Sequence, residues 1–110
     1  MFYSGCKKLI IKNNTDETIS NLEISYDNLD KALMKFDVLS NNEKYINLVV
    51  GHILKPCSLI LRYKENGEDK QKNIFNSLSS KDLSTLLVNV NKDSNDQYTF
   101  ESINNYNMYD

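Results

Sequence analysis

The chain has little of what catalytic and metal-binding proteins use most. Its 110 residues include no tryptophan, one histidine, one proline, two cysteines and three glycines. A zinc site needs three or four converging Cys, His or carboxylate ligands, and this chain shows no such spacing. Its three glycines form no GxGxxG, P-loop or GxSxG motif. We therefore expect no metal and no cofactor, and the sequence defines a fold class more sharply than an activity.

Length and charge narrow the class of protein further. A chain of 110 residues is the size of one domain, and its net charge of −2 is unlike that of a strongly basic nucleic-acid binder. The longest apolar run, residues 46–53, is shorter than the ~18 residues of a membrane helix and is interrupted by polar residues. We expect a single domain over residues 1–110, with residues 103–110 as a C-terminal tail. Neither nucleic acid nor a membrane is an expected partner.

The N-terminus and the cysteines indicate the compartment. Ser4, Gly5 and Cys6 resemble the end of a lipoprotein cleavage motif, but no apolar stretch precedes them as a secretory signal requires. Cys6 and Cys57 are too few for the disulfide framework of a small secreted scaffold. We expect a cytoplasmic protein. The alternative is a lipid-anchored or secreted protein whose natural N-terminus is longer.

What the chain does have is a succession of short alternating runs. Apolar and polar residues alternate with period two, as in strands that bury one face, and clusters of turn residues separate the runs. Asn66 and Gly67 lie between two of them, which predicts a two-residue hairpin turn because both residues tolerate positive φ. Residues 77–83 are interpreted as a loop. The predicted strands cover residues 9–12, 22–26, 34–38, 45–50, 59–63, 70–75, 86–90 and 98–102.

Seven or eight strands at this spacing, without a long amphipathic helix, predict an all-β fold. An antiparallel immunoglobulin-like β-sandwich is the expected architecture, with a small β-barrel as the alternative. The tryptophan of antibody domains is missing, so the expectation depends on strand number and spacing.

Three segments of the chain resemble a known group of proteins. They are residues 11–15 (IKNNT), 22–26 (LEISY) and 59–63 (LILRY), and together they look like uncharacterised small β-sandwich proteins of low-GC Gram-positive bacteria. The resemblance covers most of residues 8–91. It departs at residues 40–43 (SNNE), where such chains often carry a proline. The resemblance implies a bacterial β-sandwich and no particular activity.

Two candidate sites carry chemistry that must be weighed. His52 and Cys57 could form a nucleophilic pair in a small Cys/His-dependent enzyme, but no glycine-rich elbow or oxyanion site accompanies them. We expect His52 in a loop, Cys57 partly buried in a strand, and no catalytic activity. Asp93, Asn95 and Gln97 imitate the start of a calcium loop without its later glycine and glutamate, which predicts a solvated hairpin turn.

Aromatic residues are concentrated near the ends of the chain. Tyr106, Met108 and Tyr109 are candidate partner contacts because aromatics and methionine are enriched at binding surfaces. We expect the segment after Ser102 to pack on the domain, with Tyr106 and Tyr109 covering apolar surface of a sheet, and disorder or contact with a partner are the alternatives. The leading hypothesis is a non-catalytic protein-interaction or structural module that uses a sheet edge or the tail, as a monomer or weak homodimer. A carbohydrate-binding module is a further alternative, since seven tyrosines could supply stacking surfaces.

Overall fold

The chain folds entirely into strands and turns over the residues that the structure describes. The structure is a computed structural model, and it describes residues 6–27, 34–49, 57–78 and 85–104. These ranges contain no helix with the length and hydropathy to cross a bilayer. The all-β prediction is confirmed. The strands are β1 Cys6–Asn13, β2 Ile19–Tyr26, β3 Met34–Val38, β4 Glu43–Val49, β5 Cys57–Glu65, β6 Glu68–Leu78, β7 Leu86–Lys92 and β8 Tyr98–Ile103.

The eight strands form two separate four-stranded sheets. Sheet A has the order β4-β1-β7-β8, and sheet B has the order β3-β2-β5-β6. The described strands therefore form a β-sandwich-like pair of sheets rather than the closed barrel that was the alternative. The chain changes sheet after β1, β3, β4 and β6, so each sheet contains strands that are distant in sequence.

One strand pairing differs from the antiparallel expectation. β1 and β7 are parallel, in a register that runs from Leu9 opposite Leu86 to Asn13 opposite Val90. The other five pairings are antiparallel. The expectation was wrong for β1 and β7 because period-two alternation is the same in both arrangements. These strands share no hairpin, so no turn sets their relative direction.

The core lies between the inner faces of the two sheets. Opposite residues of paired strands share a face, and the pairs Ile24–Leu61 and Leu22–Phe36 place sheet B's apolar side chains inward. The alternation in the sequence therefore predicted which face is buried. The fully buried large side chains are those of Leu9, Ile11, Leu22, Ile24, Tyr26, Val38, Leu59, Leu61, Leu86, Val88 and Val90.

The turns follow local chemistry closely. Asn66 and Gly67 have φ of 53° and 79°, which are the two positive values that a type I′ hairpin needs. In the β7–β8 turn, the Asp93 carboxylate accepts hydrogen bonds from the backbone N–H groups of Asn95 and Gln97. Both predicted hairpin turns are confirmed.

The second strand of the Asn66–Gly67 hairpin is longer than predicted. β6 continues to Leu78, so residues 77 and 78 belong to a strand rather than to the predicted loop. The register shifts as β6 passes Leu59 and Ile60, which leaves Ile74 as an extra residue between Asn73 and Phe75. Such a bulge breaks the alternation of apolar and polar residues, and for that reason the predicted strand ended too early. Residues 79–83 lie outside the described residues.

Candidate functional site

The exposed large apolar side chains of the described residues are grouped on one segment. Met34 is 39% exposed, Leu39 is 61% exposed and Tyr45 is 55% exposed. Met34 lies on β3, Tyr45 lies on β4, and Leu39 lies in the short connection between these strands. β3 is the edge of sheet B and β4 is the edge of sheet A. We call residues 34–49 the β3–β4 edge.

A buried amide fixes the connection that carries Leu39. The side chain of Asn13 is fully buried, and its Nδ2 donates to the carbonyl oxygens of Val38 at 3.0 Å and Leu39 at 3.2 Å. Within the turn, the backbone N–H of Asn42 donates to the carbonyl of Leu39 at 3.1 Å. Asn41 has φ of 55°, a conformation that asparagine adopts more readily than most residues. Leu39 is therefore exposed on an anchored turn.

Tyr45 is placed by the register of β4. It lies opposite Ile10 of β1 on the outer face of sheet A, whereas its neighbours Ile46 and Leu48 are buried in the core. The Tyr45 hydroxyl donates a hydrogen bond to the Glu43 carboxylate, which orients the ring along the edge strand. The edge strand thus presents an oriented aromatic side chain beside its backbone.

The other side of the sandwich is closed by aromatic rings. Tyr63 of β5 contacts Tyr98 and Phe100 of β8, with ring centroids 6.1 Å and 4.8 Å apart. All three rings are partly buried against the core. The first of these contacts is edge-on and the second is tilted, which are the geometries that aromatic pairs prefer. These rings join the two sheets, so they do not form an open stacking platform.

A buried carboxylate reinforces the same junction. Glu65 is 7% exposed, its Oε2 accepts a hydrogen bond from the backbone N–H of Tyr98 at 2.6 Å, and its Oε1 accepts one from Lys70 Nζ at 3.0 Å. The hydrogen bond from Tyr98 is the main cause that lowers the pKa of Glu65, and Lys70 adds to the effect against the opposing influence of burial. Glu65 is therefore charged, and each of its two carboxylate oxygens accepts a hydrogen bond. This is the geometry of a structural carboxylate.

A charged cluster lies next to these aromatic rings. Lys92 Nζ is 2.8 Å from Glu17, 3.3 Å from Asp96 and 5.2 Å from the centre of the Tyr98 ring. The hydrogen bond to Glu17 is the largest cause that raises the pKa of Lys92 to about 12. These contacts pair the charge of Lys92 within the fold, so we assign Lys92 no ligand.

Cys57 does not have the surroundings of a reactive thiol. Its side chain is 6% exposed, and burial, with a smaller contribution from Asp27, raises the pKa of the thiol. Attack by cysteine requires the thiolate, which this environment disfavours. His52 lies outside the described residues, so the suggested Cys57–His52 pair is not tested.

Sheet B has a polar depression of about 680 Å³ on its outer face. The register places Glu23 of β2 between Lys35 of β3 and Arg62 of β5. Arg62 instead donates to the hydroxyl of Ser25 at 2.9 Å, and Glu23 has no ion pair within the described part of the chain. Lys64 and Asp69, which also line the depression, form an ion pair at 3.9 Å and are both exposed. Exposed charges of both signs are typical of a solvated sheet face, and we assign this depression no ligand.

The predicted contact residues and the exposed apolar residues are different sets. Tyr106, Met108 and Tyr109 lie outside the described residues, so their proposed role is not tested. The sequence reasoning missed Leu39 and Tyr45. Each stands beside a buried apolar residue, Val38 and Ile46, at a position where strict alternation requires a polar one. That break in the pattern was the available signal.

Comparison with known proteins supports the fold. No protein-family model matches the chain, and a search of curated proteins gave no match. The chain is similar to a protein from Eubacterium rectale whose structure was determined by NMR, with a TM-score of 0.56 and 14% sequence identity. The match covers 87% of this chain and 86% of that chain. The structural similarity agrees with the fold that the resemblance in the sequence implied. Eubacterium rectale is a low-GC Gram-positive bacterium, as are the sources of the proteins that the sequence resembles.

Proposed function

We propose that this protein is a non-catalytic module that binds other proteins through the β3–β4 edge. The observation that carries the proposal is the grouping of Met34, Leu39 and Tyr45 on two edge strands and the turn between them. An edge strand offers unpaired backbone N–H and C=O groups, and an extended segment of another protein binds by adding a strand. Exposed apolar side chains beside that edge supply contacts for alternate side chains of the added strand.

The chemistry elsewhere favours binding over catalysis. Cys57 is buried with a raised thiol pKa, and Glu65 is used by bonds that join the sheets. A carbohydrate-binding role has less support, since Tyr63, Tyr98 and Phe100 pack on one another. We further propose an immunoglobulin-like arrangement of the strands, supported by two four-stranded sheets between which the chain passes four times.

The test is selection of extended peptides on the immobilised protein, followed by mapping of the bound peptide through backbone amide NMR shifts. We expect peptides with alternating apolar residues that shift amides of β3 and β4. The double variant Leu39→Asp/Tyr45→Lys should lose this binding while keeping the wild-type melting temperature. Lys64→Asp, on exposed outer surface of sheet B, is the matched control and should bind normally. Peptides that bind the double variant equally well, or that map to β6 and β8, contradict the proposal.

A further inference from the structure

The short edge strand β3 is complementary to itself. Its sequence is Met34-Lys35-Phe36-Asp37-Val38, with an apolar residue at its centre and opposite charges on either side. Met34 lies opposite Ile24, and Phe36 lies opposite Leu22, so both face the core side of sheet B. Lys35 and Asp37 therefore share the outer face, where both are exposed.

We infer that the β3 edge binds a second copy of this chain, with the two β3 strands antiparallel about a two-fold axis at Phe36. This inference rests on the proposed function and names the partner of the same edge. In this register Lys35 of each copy lies opposite Asp37 of the other, and Met34 lies opposite Val38. A two-fold axis repeats each contact, so one face of the interface contains two ion pairs. The other face contains two Met34–Val38 pairs on either side of a central pair of Phe36 residues.

The remaining edge strands do not have this property. In β4, Glu43 and Lys44 are adjacent and lie on opposite faces, so they never meet in an antiparallel pairing of two copies. In β8 the one charged residue is Glu101. In β6, pairing Glu68 with Lys72 places two copies of Lys70 opposite each other, and pairing Glu68 with Lys70 does the same to two copies of Asp69, so both registers are repulsive. Among the four edges of the described sheets, charge complementarity thus selects β3.

The two charged groups are already disposed for this pairing. Lys35 has no ion pair within the described part of the chain. Asp37 accepts a hydrogen bond through Oδ1 from the backbone N–H of Asn21 at 2.9 Å, where β2 has a register shift and Asn21 has φ of 59°. That bond fixes the carboxylate at the sheet edge and leaves its second oxygen available to a lysine from another copy.

The size of the strand sets the strength of the dimer. β3 has five residues, so the paired strands bury a small area, and interfaces below roughly 1,200 Å² are usually weak. We therefore expect a concentration-dependent equilibrium between monomer and dimer. Added salt should weaken the dimer because its specificity comes from exposed ion pairs.

The experiment is sedimentation equilibrium of the full chain over a range of concentrations, with charge-reversed variants. Lys35→Asp and Asp37→Lys each place like charges opposite one another at two points, and each should weaken self-association about tenfold or more. An equimolar mixture of the two variants should associate at least as well as the wild type, because every pair across the mixed interface is again of opposite sign. Lys64→Asp makes the same charge change away from the edge and should not weaken the dimer.

Folding of the variants is checked by thermal melting. If Asp37→Lys fails to fold, Asp37→Asn replaces it, because the amide keeps an oxygen for the Asn21 N–H and removes the charge. It should weaken the dimer less than Lys35→Asp does. A wild-type chain that is monomeric at every concentration overturns the inference, as does a mixture that fails to restore association.

The outcomes also separate this inference from the proposed function. If the chain is monomeric but selected peptides still bind the β3–β4 edge, the second copy is the wrong partner and the proposed function stands. If a dimer forms that charge reversal does not affect but Tyr45→Lys disrupts, the copies pair through β4, and the inference about β3 is overturned. If neither peptides nor copies bind this edge, both proposals fail.

Discussion

The buried amide of Asn13 shows how a single polar side chain can hold several segments together. Its Nδ2 donates to the carbonyls of Glu17, Val38 and Leu39, and its Oδ1 accepts from the backbone N–H and the hydroxyl of Thr15. These bonds connect the end of β1 to the β1–β2 turn and to the β3–β4 turn. In the sequence, the asparagines at residues 13 and 14 look alike as turn residues, although one is buried and the other is exposed.

Replacement of Asn13 by alanine should be among the costly substitutions in this protein. It leaves buried carbonyl groups without donors, so we expect a loss of about 3 kcal/mol in the free energy of unfolding. Urea denaturation measures it. Asn14→Ala is the matched control and should change stability by less than about 0.5 kcal/mol because that side chain is exposed. Equal effects of the two substitutions would show that the side-chain hydrogen bonds of Asn13 add no more to the free energy of unfolding than those of an exposed asparagine.

Tyr26 presents the opposite case, a buried polar atom that has no hydrogen-bond partner among the described residues. Its side chain is fully buried, and burial is the main cause that raises the pKa of the phenol to about 12. Removal of an unsatisfied buried group is neutral or favourable. We expect Tyr26→Phe to leave the free energy of unfolding unchanged or to raise it by up to about 1 kcal/mol.

The control for Tyr26 is removal of the ring itself. Tyr26→Ala should cost roughly 3–5 kcal/mol in the same denaturation experiment, since it creates a cavity in the core. A loss larger than about 1 kcal/mol for Tyr26→Phe would instead mean that the hydroxyl has a bonding partner in solution.

Among the elements, the strands were predictable because alternation is a local property of the chain. Met34, Phe36 and Val38 alternate with charged residues, and β3 has the predicted bounds. The predicted bounds of other strands were too short where polar residues continue the backbone pairing. An example is β5, which extends to Glu65. Strand partners were not predictable, because residues such as Leu9 and Leu86 carry the same period in any pairing. The same limit concealed the site, since the position of β3 and β4 at sheet edges is a property of the assembled sheets.

The hairpin between β5 and β6 gives a prediction about an element. Gly67 has φ of 79°, and a Cβ at this position would meet no atom within 4 Å. Substitution by alanine is therefore costly through backbone conformation alone, and we expect Gly67→Ala to reduce the free energy of unfolding by roughly 1–2 kcal/mol. Glu68→Ala, at the next residue, should cost less than about 0.5 kcal/mol. A neutral Gly67→Ala would show that the turn adopts another conformation.

At the scale of the whole molecule, the two sides of the sandwich are built differently. The side formed by β6 and β8 is joined by Tyr63, Tyr98 and Phe100, and by the bond between Glu65 and the Tyr98 N–H. The opposite side carries Met34, Leu39 and Tyr45 in exposed positions. One side therefore closes the fold, and the other has two edge strands, where we propose that a partner binds.

The closed side should make the stability of the whole fold sensitive to acid. The pKa of Glu65 is lowered from 4.5 in the folded protein, so its contribution is complete above that value and is lost as pH falls through the lower folded pKa. In Glu65→Gln the charged acceptor is absent at every pH. We expect this variant to be less stable than the wild type near neutral pH and the difference to shrink in acid.

The measurement is the free energy of unfolding from urea denaturation between about pH 7 and about pH 3, for the wild type, Glu65→Gln and Glu68→Gln. Glu68 is an exposed carboxylate of the same hairpin, so its replacement should leave the acid sensitivity of the wild type unchanged. Parallel curves for the wild type and Glu65→Gln would mean that the carboxylate does not join the sheets in solution. Converging curves would assign part of the acid sensitivity of the sandwich to one bond between β5 and β8. In that case acid should loosen the closed side of the molecule while the β3–β4 edge keeps its structure, and hydrogen exchange of β8 amides should rise before that of β3 amides.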